Sequence, residues 1–76
     1  VFAMPTGAQM LRAEVQGGRL SLWVLIPRKT DHREQRVVHL VPTGAEVAID
    51  MPLVRYVDTV LDGDFVWHVF DGGAEP

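Results

Sequence analysis

The sequence predicts a mainly β protein of about four or five strands, built on two hairpins as a single antiparallel sheet or a compact β domain, with at most one short helix. Two stretches divide into an apolar and a more polar face when folded back at a glycine turn, and a third alternates with the period of a strand. With 76 residues, the chain is long enough for one domain only. We place that domain at residues 1–72 and expect residues 73–76 to form a flexible tail.

The first hairpin is predicted from Gln9 to Ile26, around Gly17-Gly18. Glycine tolerates the positive φ angles that a tight hairpin turn requires. With the turn there, one face contains only apolar pairs, namely Leu11 with Val24, Ala13 with Leu22 and Val15 with Leu20. The other face is mixed and pairs Met10 with Leu25, Arg12 with Trp23 and Glu14 with Ser21. A slip of one residue would exchange the two faces, which supports this register.

The second hairpin is predicted from Arg55 to Phe70, around Asp62-Gly63-Asp64. Asp-Gly favours a two-residue turn, but that register mixes polar and apolar side chains on both faces. A three-residue loop gives one almost wholly apolar face, and burying a large apolar side chain is worth about 1.5–3 kcal/mol, so we predict the three-residue loop. It opposes Leu61 to Phe65, Thr59 to Trp67 and Val57 to Val69 on that face, and Val60 to Val66, Asp58 to His68 and Tyr56 to Phe70 on the other.

Between the hairpins, a third strand is predicted from Gln35 to Val41, and Pro42-Thr43-Gly44 ends it as a turn signal. The segment from Glu46 to Leu53 is where the short helix is expected. Asp50 can cap a helix that has Pro52 in its first turn. The β-branched run that follows disfavours a long helix, so we expect one or two helical turns at most.

Composition excludes several classes of protein. Apolar residues make up 47% of the chain, which indicates a folded domain, and the net charge of −3 argues against nucleic-acid binding. The absence of cysteine excludes disulfides and thiolate metal sites. The longest apolar stretch, Leu20 to Ile26, is too short to span a membrane. We therefore expect a cytoplasmic protein without membrane contact.

No group of residues predicts catalysis, a metal site or a cofactor. The three histidines, His32, His39 and His68, lack the spacing of a metal motif. Asp62-Gly63-Asp64 lacks the rest of a calcium loop and is better explained as a turn. The only serine, Ser21, is predicted in mid-strand without a neighbouring base. We expect a protein that is not an enzyme, in which Asp58 opposite His68 is a structural cross-strand pair.

Two groups of residues are candidates for binding. The connection from Pro27 to Glu34 is the most polar segment, and four of its residues predict electrostatic contact with a partner protein: Arg28, Lys29, His32 and Arg33. The alternative is a platform for a planar or phosphorylated, nucleotide-like ligand, formed by Arg12, Trp23 and Arg36, with Arg12 stacked on Trp23.

Self-association is also predicted, because large apolar side chains fall on the second faces of both hairpins. These are Trp23, Leu25, Tyr56 and Phe70. A lone sheet of this size would leave much of their surface in water. We therefore expect a homodimer or higher oligomer formed through one such face.

Five short segments follow one another in order along the chain: Met4-Pro5-Thr6-Gly7-Ala8, Leu22-Trp23, Thr43-Gly44, Tyr56 with Thr59, and Val66-Trp67-His68-Val69-Phe70. Together they resemble a family of small, functionally uncharacterised proteins of tailed phages and prophages. The resemblance covers Met4 to Phe70, and the Val-Trp-His-Val-Phe ending is its most specific part. Family members carry a further strand before the Met-Pro segment, where only Val1 to Ala3 stand here. They also carry an Asp-Pro loop where this chain has Ile26-Pro27-Arg28-Lys29.

The resemblance implies a phage context and no catalytic residues. Small non-enzymatic phage proteins often bind and block a host protein. We therefore expect a phage accessory protein that binds and inhibits a host component, such as part of an antiviral defence system. Two alternatives stay open, an oligomeric protein that binds a nucleotide signal and a minor structural or assembly component of the virion.

Overall fold

The computed structural model describes residues 1–29, 32–44 and 54–75, which form six β-strands and contain no helix. The strands are β1 (Phe2–Pro5), β2 (Gln9–Gln16), β3 (Arg19–Leu25), β4 (Arg33–Pro42), β5 (Arg55–Asp62) and β6 (Phe65–Ala74). The predicted β fold class is confirmed, with six strands where four or five were expected. The helical turns predicted from Glu46 to Leu53 lie outside the described residues.

The strands form two antiparallel sheets, one with the order β1-β4-β6-β5 and one consisting of the β2–β3 hairpin. The hairpin packs on one face of the larger sheet, where Ala13 contacts Val60 and Val69. The shortest dimension of the molecule is 15 Å, which fits two layers. Buried apolar residues of the described chain are Met4, Ala8, Met10, Ala13, Val60 and Val69.

The first hairpin has the predicted turn and most of the predicted register. Gly17 and Gly18 have φ angles of 59° and 78°, the pattern of a type I′ turn, and the predicted pairing holds from the turn to Arg12 opposite Trp23. Beyond it, a bulge at Leu11 shifts the register by one residue, so that Met10 opposes Val24 and Gln9 opposes Leu25. The bulge leaves Leu11 52% exposed while Met10 is buried. The predicted pairs of Leu11 with Val24 and Met10 with Leu25 are therefore wrong.

The second hairpin does not have the predicted three-residue loop. Asp62 opposes Phe65, so Gly63-Asp64 is a two-residue turn. Only Gly63 has a positive φ, of 58°, which is the type II′ pattern. Both faces of these strands carry large apolar residues, so burial alone does not select a register, and the glycine conformation decides it.

The observed pairs replace most of those predicted. They are Leu61 with Val66, Val60 with Trp67, Thr59 with His68 and Asp58 with Val69. The predicted pairs of Leu61 with Phe65, Thr59 with Trp67, Val57 with Val69, Val60 with Val66, and Asp58 with His68 are therefore wrong. A bulge at Val57 restores the predicted register at Tyr56 opposite Phe70, whose rings meet edge to face at 5.9 Å between centroids.

β6 extends into the segment predicted as a tail. The strand includes Gly73 and Ala74, and Glu75 N donates a hydrogen bond to Gln35 O at 2.7 Å. Gly73 has a φ of 85°, and its N–H donates to Asp71 Oδ1 at 2.8 Å. β6 therefore extends past residue 72, while the domain bounds and the flexibility of the last residues stay predictions.

Side chains of β5 connect the two sheets. β2 lies beside β5 without a hydrogen-bonded ladder between them. Instead, Ala13 N of β2 donates to Asp58 Oδ2 at 3.0 Å, and Arg55 Nη2 donates to Met10 O at 3.3 Å. These bonds satisfy backbone groups of β2 that face away from β3.

Candidate functional site

The basic connection between β3 and β4 lies at one end of the larger sheet. Arg28 and Lys29 are exposed, and neither forms an ion pair with any residue that the structure describes. Arg33 is the exposed first residue of β4, and its Nη2 donates to Ala3 O at 3.1 Å. The carbonyl of His32 accepts a hydrogen bond from Thr6 N at 2.9 Å. His32 and Arg33 are thus hydrogen-bonded to β1 and to Thr6 that follows it, while Arg28 and Lys29 have no ion-pair partner among the described residues.

Arg12 and Trp23 form the predicted cation–π pair on the outer face of the hairpin. The guanidinium carbon lies 4.4 Å from the centre of the Trp23 ring, and Trp23 is 38% exposed. Arg12 Nη2 also lies 2.9 Å from Glu14 Oε2. Its charge therefore already has a counter-ion, which weakens its attraction for an anionic ligand.

Arg36, the third residue of the predicted platform, lies in the core. It is only 8% exposed and forms a buried ion pair with Asp71. Its Nη1 donates to Ala8 O at 2.6 Å and lies 3.4 Å from Glu34 Oε1. Arg36 therefore connects β4 to β6 and to the β1–β2 connection, and it does not share an exposed surface with Arg12 and Trp23.

A network of hydroxyl groups around His68 lies on β5, on β6 and in the turn after β4. His68 Nδ1 is 3.0 Å from Thr59 Oγ1, and His68 Nε2 is 3.0 Å from Thr43 Oγ1. Tyr56 OH lies 2.6 Å from the same Thr59 hydroxyl. A neutral imidazole can donate at one nitrogen and accept at the other, so both contacts can be hydrogen bonds at once. The network joins three of the five segments that carry the family resemblance.

Asp58 does not take part in this network. A hydroxyl beside an imidazole nitrogen is part of a nucleophile–base arrangement, in which a carboxylate commonly orients the base. Asp58, predicted opposite His68, instead accepts from Ala13 N and from Thr59 N, the latter at 2.8 Å. These two backbone hydrogen bonds lower the pKa of the Asp58 carboxyl.

Sequence reasoning missed the network because of the wrong hairpin register, which placed Asp58 rather than Thr59 opposite His68. The signal was nevertheless present in the sequence. Thr43, Tyr56, Thr59 and His68 all lie in segments that the resemblance singled out, but only the observed pairing shows that they touch.

The depressions between the sheets include a polar groove and an apolar cleft. A polar groove of about 380 Å³ separates the edges of β2 and β5, along Arg12 to Val15 and Asp58 to Leu61. An apolar cleft of about 260 Å³ opens near the hairpin turns and includes Leu20, Leu40 and Trp67. Binding sites for small molecules usually occupy about 300–1,000 Å³, a range that includes the polar groove but not the apolar cleft.

No cluster of three or more metal-ligating side chains occurs within the part of the chain that the structure describes. The same residues contain no helix that is long and apolar enough to cross a membrane.

The whole chain, residues 1–76, matches the family DUF7352, described as a domain of unknown function. The predicted membership of an uncharacterised family is therefore confirmed, while the phage origin stays a prediction. Neither the curated proteins nor the solved structures include a match.

Proposed function

The chain belongs to the DUF7352 family, and from its surface we propose that it is a non-catalytic accessory protein of phage origin that binds and inhibits a host component. The host component is a protein with an acidic surface, such as part of an antiviral defence system in the host cytoplasm. The observation that carries the proposal is the pair of exposed cations, Arg28 and Lys29, without counter-ions among the described residues.

The charge distribution supports a steered encounter. Residues 1–36 contain six basic and three acidic side chains, whereas residues 37–76 contain one basic and seven acidic ones. Arg33 begins β4 at one end of the larger sheet. The Asp62-Gly63-Asp64 turn lies beyond the other end of β4, where Pro42 opposes Trp67. Opposite charge at opposite ends of a sheet orients a charged partner before contact.

The nucleotide-binding alternative has less support in this geometry. An anionic ligand needs cations without carboxylate partners, but Arg12 lies against Glu14 and Arg36 is buried with Asp71. The ring of Trp23 is partly exposed and can stack on a planar group. Measuring the melting temperature of the protein at increasing nucleotide concentrations tests this alternative directly.

The loop contact is tested by reversing its charges. The variant Arg28→Glu/Lys29→Glu changes exposed residues only, and Arg19→Glu is a matched control, because Arg19 is exposed at the turn of the first hairpin. A host protein captured by the parent chain is purified, and its association rate is measured from low to high salt. We expect the loop reversal to slow association by about tenfold or more at low salt and much less at high salt. An association rate unchanged by the loop variant, or lowered equally by Arg19→Glu, contradicts the proposal.

The inhibitory role has its own assay. The chain is expressed in a host that carries a defence system, and the plating efficiency of a sensitive phage is measured. We expect the parent and Arg19→Glu to restore plating and the loop variant to fail. Plating that stays low with the parent chain in every defence background contradicts inhibition, even where binding is observed. Detection of the chain in purified virions would favour a structural component instead.

A further inference from the structure

Three of the four sheet edges in the described chain are protected. Thr6 N donates a hydrogen bond to His32 O. Hydrogen-bonded and non-hydrogen-bonded pairs alternate along an antiparallel ladder, so the N–H and C=O of Ala3 point away from β4. Ala3 O accepts from Arg33, and Pro5 O accepts from Ala8 N at 3.1 Å. Proline has no N–H to offer at this edge. The edges of β2 and β5 face each other and are linked through Asp58 and Arg55.

The outer edge of β3 has no such protection. Gln16 and Arg19 flank the two-residue turn and form a hydrogen-bonded pair, so Leu20 and Leu22 occupy pairs whose backbone groups point away from β2. The hydrogen bond from Ala13 N to Asp58 supports this assignment of outward-pointing groups. Ala13 opposes Leu22, and its N–H points out of the hairpin on the side of β2. Beyond the bulge, Val24 opposes Met10, whose carbonyl likewise points outward, to Arg55.

The β3 edge therefore presents the N–H and C=O groups of Leu20, Leu22 and Val24. Within the described ranges, no backbone hydrogen bond beyond the hairpin involves this strand. The strand is seven residues long, contains no proline and no bulged residue, and carries a single charge, on Arg19. Edges of this kind pair readily with another strand.

We propose that β3 pairs antiparallel with β3 of a second copy, around a two-fold axis at Leu22. Leu22 then opposes its own copy, and Leu20 opposes Val24 of the second copy, so all the outward backbone groups are used. Ser21 opposes Trp23, and Arg19 opposes Leu25, so no like charges meet. The two hairpins become one four-stranded sheet, and the interface is self-complementary, as a two-fold dimer requires.

This dimer differs from the self-association predicted from sequence. That prediction used the apolar faces of the hairpins, whereas this interface is a backbone ladder at a strand edge. It uses none of the loop cations, so it can fail or hold independently of the proposed host contact.

Cysteine cross-linking tests the register, because the natural chain has no cysteine. Ser21→Cys and Trp23→Cys are purified separately, checked for folding by circular dichroism, mixed and oxidised. In the proposed register, Ser21 and Trp23 of the second copy form a non-hydrogen-bonded pair. The Cα atoms of such a pair are about 4.5 Å apart, within the range of a disulfide. In either variant alone, the two cysteines are diagonal neighbours about 7–8 Å apart. We expect covalent dimer in the mixture and little in either variant alone, or in a mixture of Ser21→Cys with Gln16→Cys. Equal cross-linking in all samples overturns the proposed register.

Charge placement tests the interface by a second route. In the variant Ser21→Lys/Trp23→Lys, two lysines oppose each other on each side of the two-fold axis. In the variant Ser21→Lys/Trp23→Glu, a lysine opposes a glutamate at the same positions. Light scattering at about 100 µM should give twice the chain mass of 8.5 kDa for the parent and for the Lys/Glu variant, and a single chain mass for the folded Lys/Lys variant. A parent mass of 8.5 kDa, or a dimer that persists in the Lys/Lys variant, overturns the proposal.

Discussion

Removing the charge of Asp71 tests whether the buried ion pair holds the core together. Arg36 and Asp71 are 8% and 7% exposed and pair across β4 and β6. Asp71→Asn keeps the shape of the side chain but removes its charge. Arg36 is then left as a buried cation, whose remaining carboxylate contact among the described residues is Glu34 Oε1 at 3.4 Å.

The expected cost is a large part of the stability of this domain. Breaking a buried pair by removing one partner costs about 3–5 kcal/mol, and the Glu34 contact argues for the lower value, about 3 kcal/mol. A chain of 76 residues has a free energy of unfolding of about 4–11 kcal/mol in total. A loss of this size lowers the melting temperature by about 12–24 °C.

Urea unfolding followed by tryptophan fluorescence measures the change, because Trp23 and Trp67 lie in different sheets. Glu14→Gln is the control. It removes the exposed ion pair with Arg12, in which the side chains are 46% and 55% exposed, so we expect a cost of at most about 1 kcal/mol. If Asp71→Asn costs no more than Glu14→Gln, the ion pair does not stabilise the fold as argued.

Two further predictions follow from the second hairpin. Backbone hydrogen bonds from Ala13 and Thr59 hold the pKa of Asp58 below its usual value. Its ionised form therefore stabilises the fold fully above the unfolded-state pKa of about 3.9, and this stabilisation is lost as the pH falls through the lower folded-state pKa. The unfolding free energy of Asp58→Asn should thus fall less steeply with acid than that of the parent, and parallel curves would count against the proposed hydrogen bonds. Trp67 is half-buried against Val60 and Val69 and stacks on Phe65 at 6.0 Å between ring centroids. We expect Trp67→Ala to cost about 3 kcal/mol, measured by thermal melting, and a melt within a few degrees of the parent would show that the ring is peripheral.

The first hairpin shows what a sequence can determine. Two glycines fix a type I′ turn, and the division into faces then fixes the register as far as Arg12. The bulge at Leu11 was not predictable, because Met10 and Leu11 are both apolar and either satisfies the pattern. The packing of Met10 against Met4 and Ala8 decides which one is buried.

The second hairpin shows where a pattern fails. Its strands are apolar on both faces, so a shift of one residue changes little of the total burial, and the turn decides between registers. Gly63 takes the first turn position, rather than the second as in the two-residue register considered from sequence. The predicted register placed Asp58 rather than Thr59 opposite His68, so the hydroxyl network around His68 was not predicted.

Arg36 could have been placed correctly from its position in the strand. It alternates in phase with Val38, which packs against the buried residues around Met10 and around Val69, and a cation at an inward-facing position needs a buried carboxylate. Asp71 follows the apolar run of β6, but its pairing with Arg36 depends on a contact 35 residues away along the chain. No local pattern reports a contact of that range.

The amide of Ala13 is a natural reporter of motion between the two sheets. Its proton is held by the carboxylate of Asp58 on the other sheet, whereas ladder amides are held by carbonyls of their own sheet. If the hairpin lifts away as a unit, this proton exchanges with solvent while the ladders on either side stay protected. Its exchange rate would therefore separate detachment of one layer from unfolding of the whole chain.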